Sequence, residues 1–355
     1  MRRLALAAAI LLTSCFEPVV EESLHLEFDE VGSLAITATT NMTRRDYPKG
    51  HAVNGRLRDL RDAAQRGDDF WGRQLGMMSV QHERVIFDYT DKVLVGVARS
   101  VSLKETAEVE HLFRAFGVGT FVTREDDLVG FEVYPARATR ATEEQRTIAR
   151  RDMKATSEAF AAYLDAARRL YEYLERHPDR AKPLFERLFE TSEIEIDEDE
   201  LALIEAVGER MNAITKIFEL HESQPYTLDE LSRLVFNPFP AETTIQIQGR
   251  VRDVVGFEAV GPNRYKVPTI GLWGALAAFE GKWLSPDLLV VDVNLKMKGE
   301  KNTAAAVEQL LGQPRRYEPT PRASDILREL ETRLAPASVY RLRWELPEKR
   351  ADSDS

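Results

Sequence analysis

The sequence predicts an α+β protein in which mainly antiparallel sheets pack with helices and a long helical hairpin is inserted between β segments. Polar and apolar residues alternate in pairs of short segments, a pattern typical of hairpins with one buried face. Between residues 142 and 236, apolar residues instead follow three- and four-residue steps, which favours long helices packed side by side. Alternation returns after residue 237, so the helical stretch separates two strand-forming regions.

Three hairpins and two helices are predicted before residue 137. The hairpins cover residues 24–38, 85–97 and 118–133, each with a polar turn near its middle. The helices cover 55–66 and 102–116. Because Ser102 and Glu105 have the spacing of a capping box, the second helix is expected to begin at Ser102.

The helical module is bounded by two capping boxes, Thr142 to Gln145 and Thr227 to Glu230. His177-Pro178 ends the first long helix, and a shorter helix is expected at 181–190. The acidic run at 193–200 lies at the start of the second long helix. Negative charges there stabilise the helix by interacting with the positive end of its dipole. Apolar seams are expected at Met153, Thr156, Phe160, Tyr163, Ala167, Leu170 and Leu174 of the first helix and at Ile204, Val207, Met211, Ile214 and Phe218 of the second.

Strands return in the C-terminal region. They are predicted at 245–251, 291–297 and 340–346, and in a meander that runs through 254–260, turns at 261–263 and closes at 265–267. Helices are predicted at 303–311 and 324–334. The strands within 244–267 either belong to a separate sheet or complete the first one. We favour the second arrangement, because it would cover an exposed edge of the first sheet and make the helical module an insertion.

The N terminus has the layout of a secretory signal. Two arginines precede a short apolar run that ends in small residues and cannot span a bilayer as a mature helix. Leu12-Thr13-Ser14-Cys15 also resembles the lipobox of bacterial lipoproteins. The resemblance implies cleavage between Ser14 and Cys15, fatty chains on Cys15 and a membrane anchor in the cell envelope. Phe16 after the cysteine favours the outer membrane over the inner one. The mature chain itself shows no family resemblance.

These features predict a segmented chain. The segments are a signal peptide at 1–14, a lipidated tether at 15–22, an N-terminal α+β domain at 23–137, a helical module at 138–236, a C-terminal α+β region at 237–346 and a disordered tail at 347–355.

Composition limits the possible functions. Cys15 is the only cysteine among 355 residues, so an exported chain would have neither a disulfide framework nor a zinc site built from several cysteines. The formal net charge is -11, and it becomes more negative when the two signal arginines are removed. This charge argues against nucleic acid or a bare anionic lipid surface as a partner.

Candidate catalytic and metal-binding residues are few. His82-Glu83 lacks the second histidine of a helical zinc motif, since Ile86 stands where it would be. Glu110-His111 lies in a predicted helix, with no further ligand fixed beside it. The acidic run at 193–200 lacks the glycine of calcium loops. No serine-hydrolase elbow or phosphate-binding glycine loop occurs in the sequence. No catalytic residue, metal or cofactor is therefore predicted.

An aromatic group provides the one candidate ligand site. Trp273, Phe279 and Trp283 could line an apolar groove for a lipid or a peptide, although aromatic residues on such a helix more often belong to a core.

Three functional hypotheses follow. The favoured one is a non-enzymatic envelope lipoprotein that contacts another envelope protein. The second is a carrier or chaperone that holds an apolar ligand between sheet and helices, near Trp273 and Trp283. The third is an unrecognised hydrolase that uses His82, Glu83 or His111.

Overall fold

A computed structural model describes most of the chain between residues 20 and 347. The described ranges are 20–30, 33–42, 52–77, 83–88, 95–103, 106–115, 117–135, 140–177, 180, 197–222, 224–240, 242–284 and 319–347. They form two compact units. The sheet unit contains the described residues within 18–146, 222–271 and 334–347, and the helical unit contains those within 147–221 and 272–333. The predicted segmentation, in contrast, keeps 272–333 with the C-terminal strands.

The described part of the chain contains eleven strands and eight helices, as expected of an α+β protein. The strands are β1 (Val20–Phe28), β2 (Leu34–Met42), β3 (Glu83–Asp88), β4 (Val95–Leu103), β5 (Gly119–Glu125), β6 (Leu128–Tyr134), β7 (Glu242–Ile247), β8 (Arg250–Val255), β9 (Glu258–Gly261), β10 (Arg264–Lys266) and β11 (Tyr340–Glu345). The helices are α1 (Ala52–Arg66), α2 (Phe70–Met77), α3 (Thr106–Ala115), α4 (Glu143–Arg176), α5 (Glu198–Glu222), α6 (Leu228–Phe236), α7 (Leu272–Leu284) and α8 (Ala323–Leu334).

The larger sheet has the strand order β3-β4-β2-β1-β7-β10-β9. Leu26 of β1 lies opposite Ile36 of β2 in the first predicted hairpin, and β3 pairs with β4 in the second. β7 runs parallel to β1, with Ile245 opposite Leu26. Because α4 and α5 lie between β1 and β7 in the chain, the helical hairpin is an insertion between strands of one sheet, as predicted.

The smaller sheet has the order β5-β6-β11-β8, and its strands all pair antiparallel. One apolar cluster joins the two sheets. At its centre the ring of Phe28 lies 4.9 Å from that of Trp344 and 5.3 Å from that of Phe131, measured between centroids. All three side chains are fully buried. Burial of each such side chain stabilises the fold by about 1.5–3 kcal/mol.

The continuous strand predicted at 245–251 is wrong, because the chain changes sheets there. β7 ends at Ile247 in the larger sheet, and β8 begins at Arg250 in the smaller one. Gly249 makes the connection with φ +145°, a conformation that L side chains rarely adopt. A methyl group at Gly249 would overlap the carbonyl oxygen of Glu345. Apolar residues alternate without a break through this segment, so the sequence pattern did not show the change of sheet. The change depends on the backbone conformation that glycine allows at position 249.

The helix predicted to begin at Ser102 starts later. Ser102 belongs to β4, opposite Ala35 of β2, and the neighbouring Leu103 is fully buried. Pairing with β2 therefore outweighs the local capping pattern, and α3 begins at Thr106. Helix α2 was not predicted; its Trp71 and Leu75 are buried in the core of the sheet unit.

In the helical unit, polar contacts join both ends of the predicted antiparallel pair α4 and α5. At one end His221 Nε2 lies 2.9 Å from Asp152 Oδ2. At the other end the Tyr173 hydroxyl donates to Glu200 at 3.2 Å. Among the predicted seam residues, those that are buried on the two helices are Met153, Thr156, Phe160, Tyr163, Ala167, Val207, Ile214 and Phe218.

The remaining predicted elements have mixed outcomes. Helix α8 and strand β11 confirm the elements expected at 324–334 and 340–346. The helices expected at 181–190 and 303–311 and the strand at 291–297 lie outside the described residues. So do Cys15 and the last eight residues. No described helix is both long and apolar enough to cross a bilayer.

Candidate binding cleft

A cleft of about 690 Å³ opens on the sheet unit. Helix α1 forms one wall, and α6 with the preceding segment forms another. The start of α2, the segment leading into α4 and Glu22 of β1 complete the lining. Small-molecule sites in proteins typically measure about 300–1,000 Å³. The cleft is therefore large enough for a small organic ligand or a few residues of a peptide.

One face of α1 lines the cleft. Its lining residues are Ala52, Gly55, Arg56, Asp59, Leu60 and Ala63. Their spacing of three or four residues places them on one side of a helix. The helix was predicted, but the mixture of charged and apolar residues on this face did not by itself indicate a cleft.

The opposite wall is fixed by the predicted capping box of α6. Thr227 Oγ1 accepts a hydrogen bond from the backbone N–H of Glu230 at 3.2 Å, and Glu230 Oε2 accepts one from the backbone N–H of Thr227 at 2.9 Å. Such reciprocal capping satisfies helix N–H groups that would otherwise lack partners. It also holds the Glu230 carboxylate at the edge of the cleft.

Arg56 connects the two walls. Its Nη1 donates to Glu230 Oε2 at 3.1 Å and to the carbonyl oxygen of Pro225 at 2.6 Å. Its guanidinium carbon lies 3.8 Å from the ring centroid of Tyr226, a cation–π contact. The side chains of Arg56 and Glu230 are only 11% and 7% exposed. Arg56 is therefore held in one orientation by an anion, a carbonyl group and an aromatic ring.

Arg140 is held in a similar way. It forms an ion pair with Glu22, and its guanidinium carbon lies 4.7 Å from the centroid of the Phe70 ring. Its backbone N–H donates to the carbonyl oxygen of Leu234 at 3.1 Å. Arg233, on α6, pairs with Asp229 one turn earlier. Three arginines of the lining are thus positioned by carboxylates.

The start of α2 is anchored to the larger sheet. Asp69 accepts a hydrogen bond from the backbone N–H of Gly72 at 3.2 Å, which caps the helix. Asp69 also pairs with the buried Arg99 of β4, whose Nε donates to it at 3.1 Å. A Cβ at Gly72 would overlap the carbonyl oxygen of Gly67 and lie 2.8 Å from Arg99 Nη2. The close approach requires glycine at this position.

The charges of the cleft nearly balance. Among the described lining residues are four arginines and five carboxylates. Arg73 and Asp59 are exposed, and neither has an ion-pair partner within the described chain. The Nε atoms of Arg56, Arg140 and Arg233 are buried and have no hydrogen-bond acceptor among the described residues. The guanidinium groups therefore retain unused N–H donors.

The predicted aromatic groove lies in the helical unit. Trp273 stacks on Phe218 with ring centroids 4.4 Å apart, and Phe279 meets Phe160 edge to face at 6.2 Å. Trp283 belongs to α7, but the structure describes only its backbone. The observed rings pack against other rings, and a groove bounded by all three aromatics stays a prediction.

Of the three residues in the hydrolase hypothesis, only His111 has a side chain that the structure describes. His111 is exposed on α3, and its neighbour Glu110 accepts a hydrogen bond from the backbone N–H of Val122 at 3.4 Å. Glu83 begins β3, and His82 is outside the described residues. The described part of the chain contains no group of three or more potential metal ligands.

The acidic run has a structural role where it is described. Asp197 Oδ1 accepts a hydrogen bond from the backbone N–H of Glu200 at 2.7 Å and thereby caps α5. Glu200 is fully buried and receives hydrogen bonds of 2.6 Å from Arg180. The guanidinium of Arg180 lowers the pKa of Glu200, with a further contribution from the Tyr173 hydroxyl. These contacts confirm the helix-start interpretation for residues 197–200.

A buried His–Asp pair was missed because its members are 69 residues apart. Burial opposes ionisation of Asp152, but hydrogen bonds from Arg151 and His221 lower its pKa. Nδ1 of His221 is buried without a hydrogen-bond partner among the described residues. The ring of His221 therefore makes its hydrogen bond to Asp152 through Nε2. The neighbouring Ser157 hydroxyl donates to the Met153 carbonyl oxygen at 2.8 Å, so its hydrogen bond is made within the helix.

Comparison with protein-family models yields no match. Comparisons with curated proteins and with solved structures yield none either.

Proposed function

We propose that the protein is a lipid-anchored, non-enzymatic binding protein of the bacterial cell envelope. The observation that carries the proposal is the segment Leu12-Thr13-Ser14-Cys15 behind a short apolar run. The thiol of Cys15 would receive the diacylglyceryl group, and its amino group would become the N terminus of the mature chain. Phe16 at the next position supports the outer membrane as the destination.

The expected anchor is strong enough for permanent attachment. Each buried methylene group contributes about 0.8 kcal/mol, so one fatty chain gives marginal binding and two or more give stable binding. A lipidated Cys15 would carry at least two chains. Residues 16–19 would then connect the lipid to β1, which begins at Val20.

The cleft supports the binding part of the proposal. Arg56 and Arg140 are each held by a carboxylate and an aromatic ring before any ligand arrives. Preorganised groups of this kind reduce the ordering cost of association. The cleft combines these fixed charges with half-buried apolar side chains, which is the usual composition of a ligand site.

Detergent phase partitioning tests the anchor. The protein expressed in a bacterium that processes lipoproteins should enter the detergent phase, and Cys15→Ala should move it to the aqueous phase. Ser355→Ala, at the far end of the chain, is the matched control and should leave partitioning unchanged. Equal partitioning of the wild type and Cys15→Ala would contradict the proposal. Separation of inner and outer membranes on a density gradient tests the expected location.

A further inference from the structure

We infer that the cleft of the sheet unit binds a monocarboxylate whose carboxyl group is attached to an apolar or aromatic body. The inference deepens the proposed function, on which it rests, by naming the chemical class of the ligand. Two kinds of ligand share this chemistry: a small organic acid, and the C-terminal carboxylate of a polypeptide that ends in an apolar or aromatic residue.

The first step concerns hydrogen-bond donors. Arg56, Arg140 and Arg233 each direct one Nη to a protein carboxylate, and the Nε–H of each has no acceptor within the described residues. Buried donors are nearly always paired in folded proteins, so three unpaired donors around one cleft indicate that its guanidinium groups are incompletely satisfied by the protein. Because Arg56 and Arg140 are held in place by their partners, the donors that a ligand can reach are those of the exposed guanidinium of Arg73, at the start of α2.

The second step concerns the kind of acceptor. A guanidinium presents a planar fork of N–H groups that matches the two oxygens of a carboxylate or of a phosphate. The ion pairs distinguish between them, because three of the four lining arginines are already paired with protein carboxylates and Arg73 has no ion-pair partner within the described chain. One negative charge can pair with Arg73, whereas a second would meet no unpaired arginine of the lining. The ligand is therefore a monoanion.

The third step concerns the body of the ligand. Leu60, Ala63, Phe70, Tyr226 and Leu234 line the cleft and are each partly exposed. They belong to both walls and to the start of α2, so an apolar group would contact several elements at once. Burial of apolar surface would then supply most of the binding free energy, and the carboxylate would fix the orientation.

The test uses the mature chain carrying Cys15→Ala, which lacks the lipid and keeps the rest of the protein. 3-Phenylpropanoate is titrated by calorimetry, with 3-phenylpropanamide as its neutral counterpart and inorganic phosphate as a second anion. Acetyl-Gly-Gly-Phe is added as the free acid and as the C-terminal amide. We expect each acid to bind about tenfold more tightly than its amide, and phosphate not to compete.

Variants locate the site. Arg73→Ala should weaken binding of the acid about tenfold and leave binding of the amide unchanged. Arg73 is exposed and has no ion-pair partner among the described residues, so this variant should fold. Arg58→Ala is the matched control, since Arg58 is also exposed but does not line the cleft. Its affinity should equal that of the parent.

Each outcome decides the inference. Selectivity for one acid over its amide supports it, and the acid that binds identifies the source as a free ligand or a chain terminus. Equal binding of acid and amide, competition by phosphate, no detectable binding of either acid, or an Arg73→Ala variant that binds like the control would overturn it. Because the titration does not involve the lipid, a failure here would leave the detergent test of the anchor unaffected.

Discussion

Replacing Gly249 with alanine should destabilise the sheet unit strongly, because this residue carries the chain from the larger sheet to the smaller one. Its φ of +145° lies where only glycine is comfortable, and a side chain held there costs about 1–3 kcal/mol. The added Cβ would also lie 2.9 Å from Cδ1 of Trp344 and overlap the Glu345 carbonyl oxygen. Overpacking of a core adds about 1–3 kcal/mol. The expected loss in the free energy of unfolding is therefore about 2–6 kcal/mol.

Urea denaturation followed by tryptophan fluorescence measures this loss. Trp344 is fully buried in the affected core and should report its unfolding. With a slope of about 2 kcal/mol per molar urea, a loss of about 3 kcal/mol lowers the midpoint by about 1.5 M.

Gly55→Ala is the matched control for Gly249→Ala. Gly55 lies within α1, and a Cβ there would meet nothing within 4 Å. Alanine should instead raise stability by about 0.5–1 kcal/mol, because it restricts the unfolded chain and favours the helix. If Gly249→Ala kept the wild-type midpoint, the proposed role of glycine in the change of sheet would be refuted.

Further predictions concern the helices. His221→Ala should cost about 1–3 kcal/mol in a denaturation experiment, because it leaves the buried carboxylate of Asp152 without this partner, whereas the exposed Arg150→Ala, with no ion-pair partner among the described residues, should cost less than about 0.5 kcal/mol. Glu200 has a lowered pKa, so its ionised form stabilises the fold at neutral pH and this contribution is lost as the pH falls below about 4. Glu200→Gln should therefore melt at a lower temperature at pH 7 and lose less on acidification; parallel melting curves across this pH range would contradict that role. Thr227→Ala removes one half of a capping box and should cost about 1 kcal/mol, and an unchanged urea midpoint would argue against the cap.

Much of the fold could be predicted because local patterns and tertiary contacts agree. The alternation at 24–38 predicted the register in which Leu24, Leu26 and Phe28 are buried on one face. The capping boxes at Thr142 and Thr227 were followed by helices, as predicted. The helix start predicted at Ser102 was wrong, because pairing of β4 with β2 extends the strand to Leu103.

The cleft could not be predicted in the same way. Arg56 and Glu230 are 174 positions apart, and no local pattern shows that they meet. Both side chains are largely buried, and a charged side chain is buried only where it is paired. The sequence does not show the pairing, so it does not show that Arg56 is buried. A face of α1 with charges at helical spacing was the one available indication, and it is equally typical of a solvated helix.

The parallel pairing of β1 with β7 has a consequence for the order in which the protein folds. His25 Nδ1 lies 2.9 Å from Thr244 Oγ1, although the two residues are 219 positions apart. At about 5–20 residues per second, a ribosome needs roughly 10–45 s to synthesise the chain between them. During that interval β1 can pair with β2 on one side, but its other edge has no β7 to cover it. An uncovered strand edge is a template for pairing with another chain. The newly made protein should thus be most prone to aggregation, and most dependent on chaperones, before residue 247 emerges.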